Sequence, residues 1–146
     1  MISDAEAVLR LVLALLLGGL VGLEREAKGH AAGLRTHILV CLGSTLVMLT
    51  GLHLAAHYQG GELDPTRLAA QVISGIGFLG AGTIIQLRDS VRGLTTAAGL
   101  WAAAGIGLAV GSGFYLGAVA TTVIVLLVLF ALSNVEQRVG PKGRQQ

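Results

Sequence analysis

Charged residues are scarce in this chain. Asp, Glu, Lys and Arg make up 12% of its 146 residues, about half the share usual in soluble domains, whereas apolar residues make up 53%. Aromatic residues make up only 4%, and the mean hydropathy is +0.77. A soluble protein of this size needs a polar exterior and cannot bury so much apolar surface. The composition therefore excludes an ordinary soluble domain and predicts that a lipid bilayer surrounds most of the chain.

Other scarce residues and motifs exclude further classes. Cys41 is the single cysteine, so no internal disulfide can form, and its apolar surroundings predict a buried structural residue. The sequence has no HExxH, P-loop or GxSxG motif, so we expect neither enzyme activity nor a cofactor. The pI is about 9.1, but the basic residues stand at the ends of apolar segments without interleaved aromatics. We therefore expect no nucleic-acid partner.

Long uncharged runs predict an all-α bundle of five transmembrane helices. A crossing needs about 20 mostly apolar residues. The run 93–135 is too long for one crossing and is expected to turn back at Gly-Ser-Gly, residues 111–113. The predicted helices cover residues 5–23, 36–58, 66–87, 94–110 and 114–132 of a domain at 1–135, followed by a short basic cytoplasmic tail at 136–146.

The positions of Lys and Arg predict the orientation of these helices, because cytoplasmic loops carry an excess of both. One side of the predicted membrane domain receives Arg25, Lys28, Arg35, Arg88, Arg92, Arg138, Lys142 and Arg144. The other side receives Arg10 and Arg67, together with Tyr58 and Tyr115 at the interface. We therefore expect the N-terminus outside and the C-terminus inside the cell. Glu6 and Arg10 stand four residues apart and are expected to pair on one helix face.

The third predicted helix is unusually rich in glycine. Its sequence SGIGFLGAGT holds Gly75, Gly77, Gly80 and Gly82. Small residues can let helices approach closely, and three small-xxx-small pairs, Gly18 with Gly22, Gly107 with Gly111 and Gly113 with Gly117, follow the same pattern. Alternatively, the helix is interrupted and exposes backbone groups to an ion or substrate. We favour close packing, because no intramembrane carboxylate or lysine lies nearby to mark an ion path.

Charged and hydroxyl side chains gather at one end of the predicted helices, within GLEREAKGHAAGLRTH (22–37) and at the start of the fourth helix. The candidate polar network comprises Glu24, Arg25, Glu26, Arg35, Thr36, Arg92, Thr95 and Thr96. We expect Glu24 and Glu26 to pair with Arg35 and Arg92. The threonine hydroxyls should join this network, because they lie near helix N-termini, which attract anions and carboxylates. Such a network is either a structural clamp between helix ends or a recognition site or inner gate.

A second polar group lies at the opposite end. His53 and His57 share one helix face, and Glu62 and Asp64 follow closely. Two imidazoles and two carboxylates can hold a divalent metal ion. The alternative, which we favour, is that they are interfacial polar residues at a helix end, with Asp64 as the N-cap of the next helix. We therefore expect no metal site.

Several blocks together resemble one known family. GLERE (22–26), GLRTH (33–37), DPTRLAAQVISGIGFLGAGTI (64–84) and VRGLTTAAGLWAAAGIGLAVGSGFY (91–115) resemble the MgtC/SapB family of bacterial inner-membrane proteins, over about residues 8–132. The resemblance implies a multi-pass inner-membrane protein linked to magnesium limitation, acid tolerance and, in pathogens, survival inside host cells. Residues at its motif positions are Glu24, Arg25, Glu26, Arg35, Thr36, Gly75, Gly77, Gly80, Gly82, Arg92, Thr95 and Thr96.

The resemblance implies a regulator more than a transporter. We expect a non-catalytic membrane protein that contacts copies of itself or another membrane protein, for which the family suggests the proton-translocating ATP synthase. The alternative is a small oligomeric transporter or channel for Mg2+ or H+. Virulence-type members carry a soluble domain after the membrane part, whereas this sequence ends in SNVEQRVGPKGRQQ. We therefore expect the resemblance to concern the membrane domain alone.

Overall fold

The described residues fold into five helices and one short β-hairpin. A computed structural model describes residues 2–57, 64–88 and 90–139, with 132–139 described by their backbone alone. In chain order the elements are α1 (Asp4–Ala27), α2 (Leu34–His57), α3 (Pro65–Gly82), β1 (Ile85–Leu87), β2 (Ser90–Arg92), α4 (Leu94–Ser112) and α5 (Tyr115–Val139). The predicted all-α class is confirmed. Tyr58, Glu62 and the tail beyond residue 139 lie outside the described residues.

Local sequence signals mark the helix ends as expected. The Asp64 side chain accepts a hydrogen bond from the Thr66 amide at 2.9 Å, and Pro65 is the first residue of α3. This arrangement is the predicted N-cap, because proline at the first position loses no helical hydrogen bond. The chain reverses after α4 at Gly113, whose φ of 86° favours glycine. The predicted helical hairpin is thereby confirmed.

The third helix is shorter than predicted. It ends at Gly82 rather than at residue 87, and Ile85–Leu87 pairs with Ser90–Arg92 in an antiparallel arrangement. The hydropathy of the run did not reveal this change, because an apolar stretch of a few residues suits a strand as well as a helix. Glycine weakens the last helical turn, and the β-branched Ile84 and Ile85 favour extended backbone. Gly93, with φ of 89°, then leads the hairpin directly into α4.

Helix α2 packs tightly between α1 and α4 through glycines of its two neighbours. A Cβ atom at Gly18 would lie 2.7 Å from the Cys41 Cβ, and one at Gly22 would lie 2.7 Å from the Leu34 Cα. On α4, a Cβ at Gly111 would lie 2.7 Å from the Cβ of Met48. Contacts this short leave no room for a methyl group. The close approach predicted from the small-xxx-small pairs on α1 and α4 is therefore confirmed.

The glycines of α3 behave differently. Gly80 is buried and faces Ala97 of α4, whose Cβ would lie 3.6 Å from a Cβ at Gly80. Gly75, Gly77 and Gly82 have no atom within 4 Å of such a Cβ among the described residues. The prediction of close packing was therefore wrong for these three within the described chain, because α3 leans on α4 along one narrow face. Their other sides are open to the surroundings of the protein.

The exterior of the bundle is apolar. Phe78 is 83% exposed and Leu116 is 79% exposed, and many other leucines, valines and isoleucines are at least half exposed. Water would not stabilise such a surface, whereas a bilayer would. Of the described helices, α1, α2 and α4 are long and apolar enough to cross a membrane, and residues 115–131 form a shorter apolar helix. These features describe a helical membrane protein.

Candidate functional site

The charged end of α1 is buried inside the bundle. The helix continues to Ala27, four residues past its predicted end, so Glu24 and Arg25 are helical. Both side chains are buried, with residue exposures of 6% and 3%. Glutamate, arginine and alanine are good helix formers, which explains why charge did not end the helix. Ionic groups at such burial require partners.

Glu24 is the anion of this cluster. Its Oε1 lies 2.6 Å from the Lys28 ammonium, one helical turn away, and its Oε2 lies 3.4 Å from Nη1 of Arg25. Lys28 also donates a 3.0 Å hydrogen bond to the carbonyl of Leu129 and lies over the ring of Phe130, 5.0 Å from its centroid. The cluster therefore joins the end of α1 to α5.

Arg25 keeps unused donors inside the protein. Its Nε and Nη2 atoms are buried and have no hydrogen-bond partner among the described residues. A guanidinium has five donors, and burying any of them without an acceptor is costly. This side chain therefore offers a positive charge and hydrogen-bond donors inside the protein, near the end of α1.

His37 is the neighbouring buried base. It is fully buried on α2, and its Nδ1 lies 2.9 Å from the Gly33 carbonyl, so Nδ1 carries the hydrogen and donates it. In the neutral ring, Nε2 is then an acceptor, and it has no partner among the described residues. A Cβ atom at Gly99 of α4 would lie 3.4 Å from Nε2. Gly99 thus leaves space beside the free ring nitrogen, and the charges of Arg25 and Glu24 both act on this ring.

The expected pairing of this cluster with Arg35 and Arg92 was wrong. Both arginines are exposed, and neither forms an ion pair within the described residues. Glu26 instead accepts a 2.9 Å hydrogen bond from the Leu34 amide and so caps the start of α2. The reason is the length of α1, which places Lys28 one turn from Glu24 and directs Glu26 toward the next helix.

The threonines of the predicted network are dispersed. Thr96 is buried, Thr36 is half-buried and Thr95 is exposed. No hydrogen bond ties any of these three hydroxyls to the charged side chains within the described residues. The structure thus brings together Glu24, Arg25 and the unpredicted His37 and Lys28. The signal for His37 was present in the sequence, because the histidine opens a run of apolar and uncharged residues that extends to Leu52.

The His30 ring lies on the loop beside this cluster. Its amide donates a 3.1 Å hydrogen bond to the carbonyl of Arg25. Partial burial, followed by the positive charge of Arg25, lowers the pKa of His30 below its ordinary value. The loop histidine therefore favours its neutral form next to a cationic helix end.

The predicted metal candidates do not converge. The His53 and His57 rings stack with centroids 4.1 Å apart, and His57 Nδ1 donates a 2.8 Å hydrogen bond to the His53 carbonyl. Asp64 caps α3, and hydrogen bonds from Thr66 lower the pKa of its carboxyl. Within residues 2–57, 64–88 and 90–139, no three His, Cys, Asp or Glu side chains lie close enough to hold a metal ion.

Arg10 forms a second buried polar centre, at the other end of α1. It pairs with Glu6, which confirms the predicted ion pair. It also donates hydrogen bonds to the Tyr115 hydroxyl at 2.9 Å and to the Gly111 carbonyl at 2.6 Å. Sequence reasoning missed both of these partners, which lie on distant segments. This arginine links α1 to the turn between α4 and α5.

Comparisons with known proteins identify relatives along most of the chain. The family model described as "MgtC family" matches residues 11–138. The "Putative magnesium transporter YhiD" of Escherichia coli strain K12 is 45% identical over 130 residues, which cover 86% of this chain and 60% of that protein. Protein SapB of Bacillus subtilis is 41% identical over 147 residues, covering 98% of this chain and 63% of SapB.

A third relative is Protein MgtC of Salmonella typhimurium strain LT2, which is 43% identical over 132 residues, covering 90% of this chain and 54% of that protein. The chain therefore spans between 54% and 63% of the length of these relatives. No solved structure matches the chain.

Proposed function

This chain belongs to the MgtC family, and we propose that it is a non-catalytic, multi-pass protein of the bacterial inner membrane that regulates magnesium homeostasis or the response to acid and low-magnesium stress. The magnesium link comes from the name of the Escherichia coli relative. Because this chain spans less than two thirds of its relatives, the proposal concerns the part of the protein that they share with it.

One observation carries the choice of a regulator over a transporter. Between the Arg10 centre and the charged end of α1, the buried polar side chains of the described residues are Ser44, Thr45 and Thr122. Each hydroxyl donates a 2.8 Å hydrogen bond to a backbone carbonyl. Polar groups that are satisfied in this way do not supply the ionisable relay that ion pathways require. This arrangement supports a protein that acts by contact.

The positions of Lys and Arg support an orientation with the α1–α2 loop in the cytoplasm. The exposed Ala31 of that loop offers a test, because Ala31→Cys introduces a reactive thiol while Cys41 is buried. In intact cells, a membrane-impermeant maleimide should leave the new thiol unlabelled until the membrane is permeabilised. Labelling without permeabilisation would reverse the proposed orientation.

The growth phenotype of a deletion strain tests the regulatory function. Loss of the protein should impair growth at low magnesium or at acid pH, and expression of this chain should restore it. Glu24→Gln should fail to restore growth, because it removes the anion of the buried cluster, whereas the matched change Glu26→Gln keeps an acceptor for the Leu34 amide. Normal growth of the deletion strain at every magnesium concentration and pH would contradict the proposal.

Partners are expected within the membrane. The open Gly77 and Gly82 of α3 offer a surface for a second copy or another membrane protein, with ATP synthase as the family candidate. Crosslinking in membranes, followed by purification through this chain, should recover one of these partners. Recovery of an uncrosslinked monomer alone would argue against action by contact.

The buried Arg25 and His37 favour one second candidate function, a small Mg2+ or H+ transporter, because both side chains hold unpartnered polar atoms. Purified protein in liposomes containing magnesium- and pH-sensitive dyes separates the two candidates. A regulator gives no flux above empty vesicles. Flux that Arg25→Gln abolishes would establish the transporter instead.

A further inference from the structure

A groove of about 540 Å³ lies between α2 and α3. We propose that it binds an anionic phospholipid, with the phosphate at Arg35 and an acyl chain along the groove. The proposal is independent of the regulatory function. It rests on the chemistry of the two ends of the groove, on its length and on the glycines that open it.

The cytoplasmic end of the groove is its polar end. Arg35 and Thr36, in the first turn of α2, line it there, and the remaining lining is almost entirely apolar. Arg35 is exposed and forms no ion pair among the described residues. A guanidinium matches a phosphate group geometrically, and the N-terminal turn of a helix adds positive potential. An anionic headgroup therefore complements this end.

The opposite end of the groove is closed. A Cβ atom at Gly51 of α2 would lie 3.1 Å from Cδ1 of Leu68 and 3.3 Å from the Cβ of Pro65, at the start of α3. The two helices thus touch near their outer ends and separate toward Arg35. A chain that entered between them would have its polar head at the cytoplasmic surface and its apolar tail directed toward the bilayer centre.

The length of the groove corresponds to one leaflet. Its lining on α2 runs from Arg35 to Val47. At 1.5 Å per residue this distance is roughly 18 Å, and half of the hydrocarbon core is roughly 15 Å. An acyl chain anchored at the membrane surface therefore reaches the closed end.

Two glycines give the groove room for a slender occupant such as an acyl chain. The space exists because Gly43 on α2 and Gly75 on α3 line the groove without a side chain, and neither has a neighbour within 4 Å of an added Cβ. A large side chain at Gly75 would therefore enter the groove.

Native mass spectrometry of the full-length protein tests the proposal. The delipidated protein is incubated with mixed micelles of phosphatidylglycerol and phosphatidylcholine, and the lipids that remain bound are counted. We expect phosphatidylglycerol to be retained in preference, and Arg35→Gln to reduce its retention about fivefold, the effect of one surface arginine. Arg88→Gln removes the same charge from an exposed position outside the groove and should have little effect.

A second pair of variants tests the apolar part of the site. Gly75→Leu should abolish retention of either lipid, whereas Gly77→Leu, an equally open position on α3 that does not line the groove, should leave retention unchanged. If the two leucine variants have equal thermal stability, misfolding does not explain the loss of lipid retention in Gly75→Leu. Inorganic phosphate at millimolar concentration should fail to displace the lipid, because it lacks the acyl chain.

Three results would overturn the proposal. The first is equal retention of the two lipids by the unmodified protein. The second is equal loss in the Arg35→Gln and Arg88→Gln variants, which would indicate a diffuse surface charge effect. The third is a dimer that Gly75→Leu dissociates while lipid retention stays the same, since that result would assign the groove to a second copy of the chain.

Discussion

The guanidinium of Arg10 donates a 2.6 Å hydrogen bond to the carbonyl oxygen of Gly111, 101 residues further along the chain. The same guanidinium pairs with Glu6, so one buried cation joins the beginning of α1 to the last turn of α4. Arginine suits this role because its planar group presents several donors at once.

Replacing Arg10 should destabilise the bundle. Arg10→Met keeps much of the apolar stem but leaves the Gly111 carbonyl without its donor and Glu6 without its cation, at a cost of about 1–3 kcal/mol. The measurement is the thermal midpoint in detergent, with the exposed Arg67→Met as the matched control. Equal midpoints for the two variants would show that the Arg10 contacts contribute nothing to stability.

Glycines on α4 should differ sharply in their tolerance of a methyl group. Gly111→Ala forces a Cβ against the Cβ of Met48 at 2.7 Å, and overpacking of this kind costs about 1–3 kcal/mol. Gly105→Ala meets no atom within 4 Å, and alanine favours a helix by up to about 1 kcal/mol. Urea or thermal unfolding in mild detergent should therefore separate the two variants. A stabilised Gly111→Ala protein would mean that α2 and α4 do not approach so closely.

Loss of the Glu24 ion pairs should lower the free energy of unfolding more than a change at Glu26, which caps the start of α2. Glu24→Gln removes the only carboxylate within 4 Å of the buried Arg25 among the described residues, at a cost of about 3 kcal/mol. Glu26→Gln retains an oxygen acceptor for the Leu34 amide and should cost under about 1 kcal/mol. The two free energies of unfolding are compared at neutral pH. A larger loss for Glu26→Gln would contradict the burial of the Glu24 cluster.

His30 should make stability depend on pH. Burial and the charge of Arg25 lower its pKa below the ordinary 6.5, so the unfolded chain binds more protons than the folded one in this range. The contribution of His30 is therefore fully present above pH 6.5 and decreases as the pH falls below that value. The thermal midpoint of the unmodified protein should therefore fall relative to that of His30→Gln as the pH is lowered from 8 to 5. A midpoint that instead rises relative to that of the variant toward acid pH would mean that the pKa is raised.

Much of this fold follows from local sequence signals. The Asp64 cap and the turn at Gly113 depend on neighbouring residues, and both were predicted correctly. The close glycines at Gly18 and Gly22 were also predictable, because their spacing places both on one helix face.

The candidate site was predicted only in part, because its contacts depend on which helices are neighbours. The bond from Arg10 to Gly111 joins segments that no local pattern connects. The partners of Glu24 depended on where α1 ends, which hydropathy placed too early. His37 was missed because both α1, at Gly22, and α4, at Gly99, pack against its side chain.

The narrow contact of α3 with its neighbours has a consequence for biogenesis. Helix α3 carries Arg67 and Gln71 in its first half, and it contacts α2 where Leu68 and Pro65 lie beside Gly51. During synthesis, α3 emerges after α2 but before α4, the helix on which Gly80 rests. Truncation before residue 94 would therefore remove the Ala97 neighbour of Gly80 and leave α3 with its α2 contacts alone.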